Sequence, residues 1–228
     1  MTDQEKGKKI LSLVSAKILL ITLCFFCALI FFIFLAYIAT SGEEHMIDRK
    51  VIDFFSAYAT PPVVALMEKI TFFGSVRFLF PAYIVLVSWC LFRKQFNTAI
   101  NIAVVAFTAY ALTNFLKAWF GRKRPDLPLI ESLKTGSFPS GHTISSFVFC
   151  MVLVYLVGRS ALPNLLKWIL YVALISFSML IGISRIMLNM HYPTDVIGGY
   201  CLGMVWVLLS FWVFRTMEKR RNMSRGGS

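Results

Sequence analysis

The sequence predicts an all-α fold, a bundle of six transmembrane helices with interfacial helices on the extracytoplasmic side. Three observations lead to this prediction. Hydrophobic residues make up 58% of the 228 residues and charged residues only 15%, whereas about a quarter of the residues in a soluble domain are charged. The mean hydropathy is +0.73, and the apolar residues fall in runs that approach the ~20 residues needed to cross a bilayer. Basic residues concentrate in alternate connections between these runs, as in multi-pass membrane proteins.

The apolar runs define six predicted spans within a single membrane-embedded domain, residues 1–228. The first run has an apolar core longer than the roughly 7–15 residues of a signal peptide. It also lacks a small-x-small cleavage site, so we interpret it as a retained span. The six spans are predicted at 18–40, 78–92, 97–116, 143–158, 168–183 and 197–214.

The distribution of basic residues predicts the orientation of the chain in the cell membrane. With both termini on the cytoplasmic side, the cytoplasmic segments carry many of the Lys and Arg residues, including Arg93, Arg159 and Arg215. One outer loop, from Lys117 to Lys134, holds five basic residues against this trend, which suggests a function there. We assign the net charge of +12 to contact with anionic lipid headgroups rather than with nucleic acid.

Residues 43–75 fit neither a span nor a simple loop. Charged and apolar residues alternate up to Phe55, and Pro61 and Pro62 then open a short apolar stretch that ends at Gly74. We interpret the region as two interfacial helices on the outer leaflet, since a span at 61–74 would be too short. The alternative is a re-entrant segment packed against the functional site.

Two small-residue motifs receive structural interpretations. Cys24 and Cys27 form a C-x-x-C pair in the middle of the first predicted span, without the second pair that a metal site would need. Gly199 and Gly203 form a G-x-x-x-G motif that allows close helix packing within one chain or between chains. Packing within the chain is the interpretation adopted, and the sequence leaves the oligomeric state open.

Ser184, Arg185, His191 and Asp195 join the fifth and sixth predicted spans. Ionisable side chains at membrane depth are costly, so they are candidates for function. Pro193 suits the first turn of a helix, which puts Asp195 in that turn and close to His191. An Asp that accepts a hydrogen bond from one imidazole nitrogen leaves the other nitrogen free for nucleophilic attack. The alternative is that Asp195 only caps the helix and His191 is an interfacial residue.

The segment Phe138-Pro139-Ser140-Gly141-His142 leads into the fourth predicted span and has the form of an anion site. Backbone N–H groups at a helix start bind anions. Gly141 permits close approach of a phosphate, Ser140 can add a hydroxyl donor, and His142 is placed to donate a proton as a general acid. The alternative is a plain Pro-Ser-Gly turn that enters a helix.

The basic segment at the end of the third predicted span supplies positive charge. Arg124 can bind phosphate oxygens through a bidentate fork and Lys117 can bind them as a point charge. Arg185 would add a second fork. The alternative for a basic loop at a membrane surface is non-specific lipid attraction, and we assign Arg122 and Lys123 to that category or to lipid headgroup binding.

Together these residues resemble the three-part signature of the type 2 phosphatidic acid phosphatase superfamily. The signature reads Lys, six residues, Arg-Pro; then Pro-Ser-Gly-His; then Ser-Arg, five residues, His, three residues, Asp. The combination is specific, although each part alone is not. All its positions are matched within residues 117–195 by Lys117, Arg124, Pro125, Pro139, Ser140, Gly141, His142, Ser184, Arg185, His191 and Asp195.

The resemblance implies a lipid phosphatase that needs no metal or other cofactor, on a helical fold shared with soluble vanadium haloperoxidases. It implies that His191 attacks phosphorus to form a phosphohistidine and that Asp195 supports His191. His142 would protonate the leaving lipid oxygen and then activate water. The phosphate-binding residues that the resemblance implies are Lys117, Arg124, Ser140, Gly141 and Arg185.

The residues themselves also argue against a metal. A Mg²⁺ site needs carboxylates, and the loops that carry the signature offer only Asp126, Glu131 and Asp195. The chain has three His residues and no Cys cluster, so a zinc site is not expected. The third histidine, His45, lies outside the signature and receives no role.

The leading hypothesis is a phosphatase that acts on a lipid phosphomonoester or pyrophosphate at the extracytoplasmic leaflet. Candidate substrates are phosphatidylglycerol phosphate, undecaprenyl pyrophosphate and phosphatidic acid. One alternative is a lipid phosphotransferase that uses the same residues and an acceptor other than water. The other is a non-catalytic transporter or scaffold, against which the intact His142, His191 and Asp195 argue.

The mechanism implied by the resemblance also predicts the pH dependence of activity. His191 must be neutral to attack, and His142 must be protonated to donate. Activity is therefore expected to be bell-shaped around about pH 6–7 if neither pKa is strongly shifted.

Overall fold

The computed structural model describes residues 3–41, 46–130 and 135–226, except for the side chains of residues 3–15, 17 and 218–226. His45, Glu131 and Lys134 lie outside the described residues. Within these ranges the chain is helical and contains no strand. The helices are α1 (Asp3–Thr40), α2 (Met46–Ser56), α3 (Pro61–Phe72), α4 (Val76–Phe92), α5 (Phe96–Phe120), α6 (Gly141–Arg159), α7 (Asn164–Met187) and α8 (Pro193–Gly226).

Six described stretches are long and apolar enough to cross a membrane, which confirms the predicted number of spans. The second stretch takes in α3 as well as α4 and is therefore longer than the predicted 78–92. The large apolar side chains exposed on these helices suit the hydrocarbon interior of a bilayer. The six stretches are Ile18–Thr40, Pro61–Phe92, Phe96–Phe120, Gly141–Arg159, Asn164–Met187 and Pro193–Met217.

Local sequence signals explain where the helices that matter most begin and end. Helix α5 stops at Gly121, which has a left-handed φ of 57° and donates its backbone N–H to the carbonyl of Lys117, as is common at helix C-termini. Helix α8 begins at Pro193, the position that the sequence predicts, because proline is already suited to a first helical turn.

Helix α6 is the central helix of the bundle. It packs against α4, α5, α7 and α8, while α1 packs along α8. The contact between α6 and α8 is close because Gly199 and Gly203 face α6. A Cβ atom at Gly199 would lie 3.1 Å from the carbonyl oxygen of Ser140, and one at Gly203 would lie 2.8 Å from the ring of Phe147. The G-x-x-x-G motif thus packs within the chain and brings the start of α8 beside the start of α6.

The region 46–75 forms the two short helices that the sequence predicts, α2 and α3. Helix α2 packs on α7 and α8, and α3 packs on α7. The two helices therefore lie against the part of the bundle that carries the signature residues. Packing against the functional site is what the alternative interpretation, a re-entrant segment, requires.

Candidate active site

The termini of four helices meet at one end of the bundle and bring all the predicted site residues together. Lys117 lies at the end of α5, and Ser140 to His142 lie at the start of α6. Arg185 lies at the end of α7, and Asp195 lies in the first turn of α8. His142 interacts electrostatically with Arg185, His191, Lys117 and Arg124, so the three parts of the signature form one cluster.

His191 is buried, with 1% of its surface exposed, and its two ring nitrogens face different groups. Nδ1 lies 3.4 Å from Oδ2 of Asp195 and 3.3 Å from Oγ of Ser137. Nε2 lies 3.3 Å from a guanidinium nitrogen of Arg124. A proton on Nδ1 would bind the Asp195 carboxylate and leave the lone pair of Nε2 directed towards the cationic side of the site.

Asp195 makes both of the contacts that the sequence left as alternatives, one to His191 and one to the start of α8. Its Oδ2 atom accepts the backbone N–H of Tyr192 at 2.9 Å, which caps the start of α8. The same oxygen faces His191 and accepts the hydroxyl of Ser137. The carboxylate is fully buried, and these hydrogen bonds compensate for its removal from water.

The surroundings of His191 favour its neutral form. Burial and then the positive charges of Lys117, Arg185 and Arg124 hold the pKa of His191 well below its ordinary value. A neutral imidazole keeps the lone pair that a nucleophile needs.

The start of α6 is shaped for the close approach of a ligand. Ser140 is fully buried at the N-cap position, where its hydroxyl does not cap the helix but accepts a hydrogen bond from Thr143 at 2.9 Å. A Cβ atom at Gly141 would lie 3.4 Å from Cε of Lys117, so the backbone of Gly141 lies beside the Lys117 side chain. His142 is half-buried and packs beside Gly74, in the turn between α3 and α4.

Backbone and side-chain contacts fix the cationic groups of the signature. Lys117 donates to the carbonyl of Gly136 at 2.7 Å, and Arg124 donates to the carbonyl of Met190 at 2.9 Å. One terminal nitrogen of Arg185 donates to the hydroxyl of Thr71 at 2.9 Å.

The Nε atom of Arg185 is buried and finds no acceptor among the described residues. A buried donor without an acceptor is costly. Arg185 therefore presents a donor that a bound oxyanion would satisfy.

The assignment of Arg122 to non-specific lipid attraction is wrong. Only 8% of its side chain is exposed, and its guanidinium bridges Oδ1 of Asp195 at 2.5 Å and Oδ2 of Asp48 at 2.9 Å. It also lies 4.2 Å from the ring centre of Tyr192. Burial alone would lower the pKa of Arg122, but the charge of Asp195 and the hydrogen bonds to Asp48 and Asp195 raise it above its ordinary value. Lys123, in contrast, is exposed.

Sequence reasoning missed five residues that support the site. Each reaches it through a contact between segments that are distant in sequence or through backbone packing, so no motif spacing points to it. Two of the five had a nearby signal, since Ser137 precedes the Pro-Ser-Gly-His motif by two residues and Thr194 lies between His191 and Asp195 in the third part of the signature. The five are Asp48, Thr71, Gly74, Ser137 and Thr194.

The buried carboxylates of the site bind a guanidinium. Mg²⁺ prefers oxygen ligands such as carboxylates, but Asp48 and Asp195 both bind Arg122. Among the side chains that the structure describes, no three of the types His, Cys, Asp or Glu form a group that could hold a metal ion.

An apolar groove of about 620 Å³ lies between α4, α5 and α6. Its wall includes Ser145, one turn after Gly141 and His142, and Tyr110, two turns before Lys117. The groove therefore begins next to the cationic cluster and continues along the apolar part of the bundle.

Comparisons with known proteins agree with this geometry. The family model of the PAP2 superfamily matches residues 98–219. Phosphatidylglycerophosphatase B of Bacillus subtilis (strain 168) is 28% identical over 181 residues, which cover 79% of this chain and 89% of the relative. A lipid A 1-phosphatase of Rhizobium johnstonii is 29% identical over 180 residues, covering 68% of this chain and 70% of the relative.

A solved structure agrees over most of the fold. The crystal structure of a transmembrane PAP2-type phosphatidylglycerolphosphate phosphatase from Bacillus subtilis matches with a TM-score of 0.77 and 26% identity, and the match covers 84% of this chain and 96% of that chain. The family model takes in more than half of the chain and the whole signature from Lys117 to Asp195. The chain therefore belongs to the PAP2 superfamily of membrane phosphatases and is a hydrolase that acts on the phosphate esters of lipids.

Proposed function

We propose that this chain is a metal-independent phosphatase that hydrolyses a lipid phosphomonoester or pyrophosphate through a phosphohistidine at His191. One observation carries the proposal. Nδ1 of His191 faces Asp195, while Nε2 faces the cationic cluster where a phosphate would bind. This is the orientation that an attacking imidazole requires.

In the first step, the lone pair of Nε2 attacks phosphorus as the bond from phosphorus to the lipid oxygen breaks. The lipid oxygen takes a proton from His142, so the lipid leaves as a neutral alcohol or, from a pyrophosphate, as the monophosphate. Asp195 stabilises the positive charge that develops on the His191 ring, because its carboxylate faces Nδ1.

In the second step, water attacks the phosphohistidine. His142, now neutral, takes a proton from the water molecule as the bond from oxygen to phosphorus forms. The bond from phosphorus to Nε2 breaks, its electron pair returns to the imidazole, and inorganic phosphate leaves. His142 is protonated again, which completes the cycle.

The charge of the cluster supports a phosphate as the ligand. Four buried or half-buried cations, Lys117, Arg122, Arg124 and Arg185, accompany the two carboxylates of Asp48 and Asp195. The excess of two positive charges suits a phosphate monoester, which carries a charge of about −1.5 to −2 at neutral pH. Preorganised donors of this kind stabilise the charge of a transition state without reorganisation.

The apolar groove supports a lipid as the group that carries the phosphate. A tail in the groove between α4 and α5 would leave the headgroup at the start of α6. Because the cationic cluster binds only phosphate, selection among phosphatidylglycerol phosphate, undecaprenyl pyrophosphate and phosphatidic acid would depend on the groove and on α2 and α3. The names of the two relatives describe phosphatases of two different lipids, which agrees with a phosphate site that does not itself select the lipid.

We further propose that residues 1–228 form one domain, with both termini in the cytoplasm and the active site on the extracytoplasmic side. The site residues lie at one end of the bundle, whereas Arg93 follows α4, and Arg159 and Lys167 flank the turn between α6 and α7 at the other end. Basic residues favour the cytoplasmic side. Reporter fusions after Arg159 and after Lys123 test this arrangement, and extracytoplasmic activity of the first fusion would contradict it.

The central experiment measures inorganic phosphate released from a panel of lipid phosphates in detergent with EDTA. We expect the wild-type chain to release phosphate and His191→Ala to release none above background. His45→Ala, a change of the histidine outside the signature, is the matched control and should retain activity. Activity that disappears in EDTA, or persists in His191→Ala, contradicts the proposal. Phosphate recovered on an added alcohol instead of in solution would favour the phosphotransferase.

A second experiment tests the groove. Ala106 lines it, whereas Ala111 lies on the same helix, is exposed and does not line it. Ala106→Phe should raise KM for long-chain lipid phosphates about tenfold, because a ring would occupy the space of several methylenes, and should leave p-nitrophenyl phosphate hydrolysis unchanged. Ala111→Phe should change neither. Equal KM values for the wild type and Ala106→Phe would exclude the groove as the tail site.

A further inference from the structure

Helix α2 has an unusual pattern of burial. Within α2, which the structure describes completely, Asp48 alone is buried, and its side chain is fully removed from solvent. The apolar residues Met46, Ile47 and Phe54 of the same helix are exposed. A carboxylate is the costliest kind of side chain to bury unless it is paired and hydrogen-bonded. Val51, Ile52 and Phe55 of α2 are half-buried, so the most deeply buried side chain of this helix is a carboxylate.

Asp48 is satisfied by groups from two other segments of the chain. Its Oδ1 atom accepts the backbone N–H of Thr194 at 2.9 Å. Its Oδ2 atom accepts the hydroxyl of Thr194 at 2.7 Å and a terminal nitrogen of Arg122 at 2.9 Å. Asp48 thus holds the first turn of α8 and the guanidinium of Arg122 at the same time.

Arg122 transmits this constraint to Asp195. Its other terminal nitrogen donates to Oδ1 of Asp195 at 2.5 Å and to the hydroxyl of Thr194 at 2.8 Å. The ring of Tyr192 lies under the guanidinium, so the plane of the guanidinium is fixed from a third direction. With Oδ1 of Asp195 held by Arg122, Oδ2 remains as the oxygen that faces Nδ1 of His191.

We infer that Asp48 is a positioning residue for the reaction. It acts through Arg122 and Thr194 to hold the carboxylate of Asp195 opposite Nδ1 of His191. The inference rests on the function proposed above. Asp48 reaches the cationic cluster through Arg122, and its other hydrogen bonds go to Thr194. It lies outside the signature and outside the residues that the family model matches. Helix α2 is thereby a part of the catalytic assembly, since the carboxylate that orients Asp195 comes from it.

The test compares Asp48→Asn with Asp53→Asn, a change of an exposed carboxylate on the same helix. Asparagine keeps the shape of Asp48 but lacks the charge and one acceptor oxygen that bind Arg122. We expect kcat for a lipid phosphate to fall about 10- to 100-fold, the range for a hydrogen bond to a charged group, with KM changed less than about threefold. With p-nitrophenyl phosphate as substrate, the initial burst of p-nitrophenol, which reports the attack of His191 on phosphorus, should slow by the same factor. Asp53→Asn should match the wild type in both measurements.

A double-mutant cycle checks the route of the effect. Arg122→Gln removes the bridge itself, so Asp48→Asn added to Arg122→Gln should lower kcat by less than about twofold, because residues in one network are non-additive. Independent, multiplying effects would overturn the inference. So would a lower unfolding temperature for Asp48→Asn with wild-type kcat, since that result indicates a structural anchor only.

Thr194→Val decides the matter if Asp48→Asn does not fold. Valine keeps the shape of Thr194 and its backbone N–H but lacks the hydroxyl that links Asp48 to Arg122. A fall in kcat of about tenfold is expected, and unchanged kcat would overturn the inference. Failure of the proposed function would be recognised by a different result, namely wild-type protein that releases no phosphate or His191→Ala that remains active.

Discussion

The two signature histidines have different surroundings, although the proposed reaction uses both. His191 is fully buried, and both of its ring nitrogens lie near fixed partners, Asp195 and Ser137 on one side and Arg124 on the other. His142 is half-buried in the first turn of α6 and packs beside the backbone of Gly74. The comparison suggests that the proposed nucleophile is held in one orientation by fixed partners, whereas the proposed proton donor is held mainly by packing.

The largest effect is expected when the two histidines are replaced separately and tested with p-nitrophenyl phosphate. Its leaving group needs little protonation, so His142→Gln should still release a burst of p-nitrophenol, while steady turnover falls by about 10²–10⁴. His191→Gln should lose both the burst and the turnover. Rapid-mixing absorbance measurements separate the two phases. Loss of the burst in His142→Gln would show that the two histidines do not divide the work in this way.

A smaller effect is expected from the packing that supports His142. A methyl group at Gly74 would lie 2.7 Å from Ile181 and 3.3 Å from Cβ of His142, and overpacking of this kind costs about 1–3 kcal/mol. Gly74→Ala should lower lipid phosphate turnover about tenfold and leave the p-nitrophenol burst within about twofold of the wild type. Gly158→Ala, where the added methyl group would meet only the Tyr171 hydroxyl at 3.1 Å, should have wild-type kinetics. A burst that slows as much as turnover in Gly74→Ala would mean that the change reaches His191.

The smallest effect is expected in the titration of His191, whose midpoint should lie below the ordinary pKa of histidine. Because burial and the charges of Lys117, Arg185 and Arg124 lower the pKa of His191, the imidazole should remain neutral as the pH falls below its ordinary value of about 6.5. Histidine-selective ¹³C NMR of the detergent-solubilised chain can follow it, because the chain has only three His residues and His191→Gln identifies the signal. A titration midpoint at or above about 6.5 would contradict the lowered pKa of His191. With the predicted shift, the acidic limb of kcat/KM lies below the range expected for an unperturbed imidazole.

The fold and the meeting of the signature residues could be predicted because their signals are local in sequence. The apolar runs predict the spans, and Pro193 predicts the start of α8. The four-residue separation of His191 and Asp195, with a helix start between them, predicts that the two side chains meet, and they do.

The supporting contacts could not be predicted because they depend on packing between distant segments. Arg122 and Lys123 are adjacent residues of the same charge, yet one is buried between two carboxylates and the other is exposed. Nothing in the residues beside them distinguishes the two. Asp48 similarly lies among other charged residues, and its partner Arg122 is 74 positions away. Only the docking of α2 on α8 identifies it.

The glycine contact between α6 and α8 has a further consequence. Both helices begin at the active-site end, so they run parallel, and Gly199 and Gly203 allow them to approach closely. Each helix carries roughly half a positive charge at its N-terminus from its aligned peptide dipoles, and two such ends side by side repel each other. An oxyanion at these ends offsets the repulsion. Bound phosphate, product as well as substrate, is therefore expected to act as a counter-ion that stabilises the helix pair and raises the unfolding temperature with concentration.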